Sequence, residues 1–525
     1  MKILYRYISL VLVLSVIWGC KKSEFAELYP DPDKNSNGKI ESLFANMLIM
    51  TRYHMQYWDL YTFTGTTLAR YTQMVGYTND PGRYQPSDSY VNDRWNKFYT
   101  DILPLYRQME AIYKQLPDSE KKDYKYIMGI GEAVMANEMS KVTDLWGDVP
   151  YSEGGLIRSS DNQIIYPKYE SQKSIYTRML SDLKDFADTL AVSTAATATE
   201  TKFLTTYDFV NKGDLLKWQK FINSLRLRWL VRVKNTELSS QAIEQINEIL
   251  NNPAKYPLIE SNDDNAIFSS KAPNLLAITN QHEGGPKGGF AEVPAGKKML
   301  DILKHGSFQD PRLQTIFSKN SNGEYAGIDP LIPSTSSIAD SLRDHLYSYV
   351  DSATYRYNDF LPAVLFTASE VHFLKAELRS GSRAEDAFRK GIKLSIEWYY
   401  YIRNLNEKIE STVVGHLDPP SSQEVTNTIQ YYVDNYFNNL DVGAAEAIGI
   451  QRWIHFGHLQ MYEAWADIRR FDHPHFSFVP DNGAVPNVPK RIKYPSAETI
   501  NNTIGMSDDI KAKDLYTNKV WWDED

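Results

Sequence analysis

The sequence predicts an all-α fold, and three observations carry that prediction. Long segments place apolar residues at three- and four-residue spacing, the mark of helices with one buried face. Strand-like alternation is scarce. The stretch 369–401 (SEVHFLKAELRSGSRAEDAFRKGIKLSIEWYYY) reads as a helix, a Gly-Ser-Arg turn and a second helix. Its small residues Ala376, Ala384 and Ala387 sit where paired helices approach closely. This is the look of a tetratricopeptide unit, although no strict period of about 34 residues repeats along the chain.

Taken in order, helical spacing covers residues 40–57, 94–114, 119–143, 171–190, 213–235 and 240–250. It resumes at 293–304, 369–379, 383–403, 422–437, 444–456 and 457–471. Asp118-Ser119-Glu120 is a helix-start signal, and Ser239 is a cap-type residue ahead of Ala242 and Ile243. Irregular stretches rich in Gly, Pro and Ser lie between, at 62–93, 191–206, 251–292, 318–340, 414–421 and 473–494. Loops of this length are usually functional or disordered. Aromatic content separates the two. Residues 191–200 (AVSTAATATE) have none and read as a slack surface loop. Residues 62–93 hold Phe63, Tyr71, Tyr77, Tyr84, Tyr90, Arg70 and Arg83, and read as built to contact something.

The amino terminus has its own logic. Lys2 and Arg6 precede an eleven-residue apolar run, ISLVLVLSVIW, too short for the roughly 20 residues a membrane-spanning helix needs. It suits the apolar region of a secretory signal. The run ends at Ile17-Trp18-Gly19-Cys20, which resembles the bacterial lipobox, with Trp18 bulkier than the usual occupant. Cys20, the chain's one cysteine, is then the lipidation site: its thiol is diacylated and the chain is cut before it. Several acyl chains make a stable anchor where one does not. The expected organisation is a signal peptide at 1–19, a lipidated tether at 20–39 and a single α-helical domain at 40–525.

Composition excludes several classes. Of 525 residues, 42% are hydrophobic and 23% charged, which rules out a disordered or collagen-like chain. A formal net charge of −9 argues against nucleic acid as a partner. One cysteine permits no intrachain disulfide, Cys-cluster zinc site or CxxC motif. Tyr (35) outnumbers Phe (21), giving many flat apolar faces with a polar handle.

Several segments resemble the SusD/RagB family of surface nutrient-binding lipoproteins. The strongest is DLWGDVPYSE at 144–153. Gly147 lets a helix end, Pro150 forbids its continuation, Asp148 can cap exposed amides, and Trp146 and Tyr151 can bury against the bundle. FTASEVHFLKAE at 366–377 is similar to a second family helix. QRWI at 451–454 with EAWADIRR at 463–470, PKRIKYP at 489–495 and KVWWD at 519–523 complete an ordered series. The resemblance implies TPR-like helix pairs in a right-handed superhelix with long loop insertions, and it implies binding without catalysis or cofactor. It also implies an oligosaccharide ligand, sometimes a peptide, and a SusC-like TonB-dependent transporter as partner.

Carboxylates such as Asp144/Asp148 and Asp263-Asp264 single out no glycosidase pair. His455/His458 and His473/His475 lack a third ligand or an HExxH pattern and read as structural, so no metal is expected. No Asp-x-Asp-x-Asp-Gly loop, P-loop or strand-flanked GxGxxG is present. Residues 284–289 (GGPKGG) read as a flexible loop near the ligand face or as a plain connector. Trp218, Trp229, Trp398, Trp453 and Trp465 fall in helical patterns and read as core, as does Trp95; Trp521-Trp522 reads as a seal for the carboxyl terminus.

Loop aromatics differ. A sugar ring offers an apolar C–H face and a rim of hydroxyls, so recognition needs a flat aromatic with polar groups beside it. Trp58, Tyr61, Arg70, Tyr77, Asp80, Arg83 and Tyr84 supply that mixture, with Asp59, Asn79 and Gln85 among them. The resemblance adds residues on later loop insertions, Gln281, His282, Phe290 and Tyr355. The alternative readings are a TPR-like scaffold that binds peptides or a protein partner, and a lipid-anchored hydrolase.

Overall fold

The computed structural model describes residues 38–156, 163–269, 288–290, 293–358, 360–406 and 415–523. The expected signal peptide, Cys20 and nearly all of the tether lie outside them, as do Gln281 and His282. Helices dominate, and the strands are short pairs of two to four residues. No helix among the described residues is long and apolar enough to cross a membrane.

The principal helices are α1 (Ile40–Met50), α2 (Asp88–Asn96), α3 (Leu103–Gln115), α4 (Lys125–Trp146), α5 (Gln172–Val192), α6 (Ala198–Tyr207) and α7 (Leu215–Val233). They continue with α8 (Ser239–Asn251), α9 (Lys297–Leu303), α10 (Ala368–Leu378), α11 (Ser382–Asn404), α12 (Ser422–Tyr432), α13 (Gly443–Phe456) and α14 (Met461–Phe471). Apolar spacing located nearly all of these. The TPR-like pair is α10 and α11, which fold back on each other through Gly381 at φ +58°. Ala376, Ala384 and Ala387 are buried between them. At Gly391 a Cβ would come within 2.5 Å of the Phe373 ring, so the two backbones meet where no side chain fits.

Helices enter several stretches expected to be irregular, among them Asp88–Asn96 and Ser336–Arg343, and two further departures have clear physical reasons. Residues 59–71 are helical: a widened, π-type run from Asp59–Leu68 leads into Ala69–Tyr71. The signal was hidden by threonines and Gly65, poor helix formers by propensity. Here Thr64 donates its hydroxyl to the Asp59 carbonyl at 3.1 Å, Thr62 and Thr66 donate to the carbonyls of Trp58 and Thr62, and a Cβ at Gly65 would sit 2.5 Å from the Leu60 oxygen. The second departure is the alanine- and threonine-rich segment read as slack. Thr197 caps α6 by accepting from the Glu200 amide at 3.1 Å. Glu200 is fully buried and accepts from the Tyr126 and Ile127 amides at 2.5 and 3.0 Å, closing the start of α4. Burial pushes its carboxyl up to about 7.

An ionic network occupies the centre. Arg228 pairs with Glu370 (2.5 and 2.7 Å), and Arg232 pairs with Asp144 (2.5 Å) and Glu463 (2.8 Å), all of them buried. Asp144 also accepts from the Tyr176 hydroxyl and the Trp522 indole, each at 2.7 Å. The motif at 144–153 thus fastens α4 to α5, α7 and the carboxyl terminus. Gly147 ends α4 at φ +77°, and Asp148 accepts from the first amide of α5, Gln172, at 2.9 Å. Trp95, Trp146, Trp218, Trp229, Trp398, Trp453, Trp465 and Trp522 are buried, as expected.

Candidate functional site

The expected site residues separate into three groups. The first is an exposed aromatic ledge where the 3₁₀ turn Thr51–Met55 passes into the π-type run. Trp58 is 51% exposed and Tyr61 49%, high values for such large rings in a chain whose other tryptophans are mostly core. Tyr57 and Tyr61, one helical turn apart, stack at 5.3 Å and 16°. Trp58 meets Tyr90 edge to face at 6.0 Å, and its indole N–H donates to Asp93 Oδ2 at 2.8 Å. That bond fixes the orientation of an exposed ring that would otherwise be free to turn. Tyr57 and Asp93 were missed from sequence; the i,i+4 spacing of Tyr57 and Tyr61 is the signal that could have found the first.

The second group serves the fold. Arg83 and Tyr84 are buried and hold the 479–483 loop. Arg83 donates to the Val479 and Pro480 carbonyls at 2.6 and 3.0 Å, and lies 3.5 Å from Asp481. The Tyr84 hydroxyl donates to Val479 at 3.0 Å, and Gly82 donates its amide to Asp481 at 2.7 Å. Tyr77 is buried, and burial holds its hydroxyl well above its ordinary pKa. Asp80 is exposed, with Thr78 donating to its carboxylate. Arg70 is half-buried, which lowers its pKa, and lies at the far end of the helical run that follows Trp58. Tyr77, Arg83 and Tyr84 are buried, and therefore do not join Trp58 and Tyr61 on an exposed surface.

The third group is Phe290 and Tyr355. Their rings are buried, 5.1 Å apart, and both touch His458. Phe290 nevertheless lines a recess of about 310 Å³ with Ser318, Lys319, Asn320, His345, Tyr347, Tyr349 and Arg356. That volume lies at the low end for small-molecule sites. Tyrosine rings surrounded by amide, imidazole and guanidinium groups suit a polyhydroxylated ligand. Gly288 and Gly289 connect the recess to the ledge: a Cβ on either would come within 2.5 Å of Tyr57 or Leu60, so the segment ending at Phe290 lies against the base of the ledge. Of the GGPKGG stretch, 284–287 lie outside the described residues.

The carboxylates weighed for hydrolysis are engaged elsewhere: Asp144 with Arg232, Asp148 with the α5 amide, and Asp264 with Lys220 at 2.7 Å. His455 is buried between Thr367 and Ser395, and burial lowers it to about 3. Among the described residues, Glu446, His473 and His475 form a group with the side chains to hold a metal.

The family described as SusD-like, starch-binding and associating with the outer membrane matches residues 32–495. No curated protein sequence matches significantly. Many solved structures share the fold. They include a SusD homologue from Bacteroides thetaiotaomicron, at 22% identity and TM-score 0.63, covering 93% of this chain and 99% of that one. A chitin-binding SusD homologue from Flavobacterium johnsoniae aligns at 20% identity and TM-score 0.64, covering 92% and 99%. A Bacteroidetes SusD-like protein aligns at 18% identity and TM-score 0.71, covering 93% and 100%. At these identities the structural likeness is one of fold, while the sequence match runs through nearly the whole helical body. The chain belongs to the SusD-like family.

Proposed function

We propose that this protein captures an oligosaccharide at the cell surface and passes it to a SusC-like TonB-dependent transporter in the outer membrane, without catalysis. The observation that carries the reading is the ledge of exposed Trp58 and Tyr61, with Trp58 held in place by Asp93 and Tyr61 stacked on half-buried Tyr57, on a chain of a starch-binding family. Flat rings supply the apolar face that a sugar's C–H surface needs, and the neighbouring recess supplies donors and acceptors for its hydroxyls. Cys20 is the proposed lipid anchor, which keeps a body without a described spanning helix at the membrane.

The test is calorimetric titration of the chain, beginning at Cys20 with the thiol replaced by Ser, against a panel of soluble oligosaccharides and a peptide pool. Saturable heats with one glycan class and none with the peptides are expected. Saturable binding of peptides alone would replace this reading with the TPR-like scaffold, and product release from any sugar would replace it with a hydrolase. Transporter delivery is tested separately: affinity purification of the tagged lipoprotein from its own membranes should bring down a β-barrel transporter.

A further inference from the structure

Two imidazoles from one segment converge on a carboxylate oxygen of a neighbouring helix. Glu446 lies in the first turn of α13, while His473 and His475 follow the end of α14. His473 Nδ1 and His475 Nδ1 are each 2.8 Å from Glu446 Oε2. The two imidazoles stand 4.6 Å apart at 84°, so they approach the carboxylate from different directions. One ligand atom from each of the three residues falls within 4.8 Å of the others.

The surroundings hold this arrangement. The His475 amide donates to both Glu446 oxygens, at 3.2 and 3.1 Å, which orients the carboxylate. At Gly449, one turn beyond Glu446, a Cβ would come within 2.5 Å of His473 Cβ, so the bare helix surface lets His473 lie against α13. On the solvent side the Asp472 carboxylate lies 3.9 Å from His475 Nε2. Lys298 donates to the His475 carbonyl; its own pKa is lowered by burial, against the opposing effect of Glu446. Burial alone would raise the Glu446 pKa, but the hydrogen bonds from His473 and His475 hold it below the ordinary carboxylate range.

We propose that Glu446, His473 and His475 form a binding site for a divalent transition-metal cation of the zinc type. Two imidazoles and one carboxylate are a donor set such cations accept, with water completing the coordination on the side where His475 is 64% exposed. Calcium and magnesium prefer all-oxygen shells and are disfavoured. The cation would tie the segment after α14 to α13. That segment continues to Val479 and Pro480, whose carbonyls hold Arg83, so the bound metal stiffens the loop against which the 78–84 turn is clasped.

The test is titration of the chelator-treated chain with zinc chloride at neutral pH, alongside His475→Ala, Glu446→Gln and, as a control at an exposed histidine outside the group, His305→Ala. One zinc per chain with a dissociation constant at or below about 10 µM is expected, weakened at least about tenfold in His475→Ala and Glu446→Gln and unchanged in His305→Ala. Excess calcium should not displace the zinc. His475 is exposed, so its alanine variant should keep the wild-type circular dichroism spectrum. Absence of one-to-one binding, or wild-type affinity in His475→Ala and Glu446→Gln, would overturn the proposal.

Discussion

Arg232 donates to Asp144 Oδ2 across 2.5 Å in the centre of the molecule, and both side chains are buried. Asp144 comes from the motif that ends α4, Arg232 from the last turn of α7, and Trp522 reaches the same carboxylate from the carboxyl terminus. Removing one member of a buried pair leaves an uncompensated charge, at a cost of about 3–5 kcal/mol. Asp144→Ala should therefore lower the denaturant midpoint sharply. Arg232 keeps Glu463 as a partner in that variant, so adding Arg232→Met, which takes the cation from Glu463 as well, should lower the midpoint further. A midpoint close to wild type in Asp144→Ala would mean that the pair itself contributes little.

The α10–α11 contact gives a cleaner test of packing. Gly391→Ala adds one methyl 2.5 Å from the Phe373 ring. Overpacking of this kind costs about 1–3 kcal/mol, which exceeds the gain of about 1 kcal/mol from replacing a helical glycine. Thermal unfolding should show a net loss. A stabilised variant would show that Phe373 has room to move.

His455 makes a pH-dependent contribution whose sign can be worked out. Burial lowers its folded pKa to about 3, against about 6.5 in an unfolded chain. The unfolded state therefore binds a proton that the folded state refuses, and stability is lost as pH falls from about 6.5 toward 3, by up to about 1.4 kcal/mol per pH unit. Glu200 acts in the opposite sense, since its raised pKa makes the folded state bind the extra proton between about 4.5 and 7. The whole-protein curve mixes these effects, so the test is a difference. The stability gap between wild type and His455→Gln should narrow by about 2 kcal/mol from pH 7 to pH 5. A constant gap would contradict a neutral His455 in the fold.

How much of this was legible in the sequence depended on which interactions decide each feature. Helices with a 3.6-residue apolar period were readable because one stripe of side chains carries their burial. The 59–71 run was not, because its threonines bond back to their own carbonyls and its Gly65 fits a widened turn that periodicity does not encode. Aromatic content marked residues 58–90 as important but could not separate exposed rings from buried ones. Tyr84 is core because its hydroxyl finds the Val479 carbonyl, nearly four hundred residues away in sequence. Glu446 was invisible as a partner of His473 and His475 because only the folding of α13 and α14 back on each other brings the start of α13 to the segment after α14.

The central claim is that the Trp58 ledge is where sugar binds, and one comparison tests it most directly. The oligosaccharide that gives the strongest wild-type heat is titrated into the Trp58→Ala/Tyr61→Ala double variant, with melting temperatures measured on the same samples. Both rings are about half exposed, so their removal takes little from the core. Losing two stacking faces should weaken binding at least about tenfold, equivalent to about 1.4 kcal/mol, with the melting temperature nearly unchanged. Undiminished affinity in a folded double variant would contradict the account and move the binding site elsewhere on the molecule.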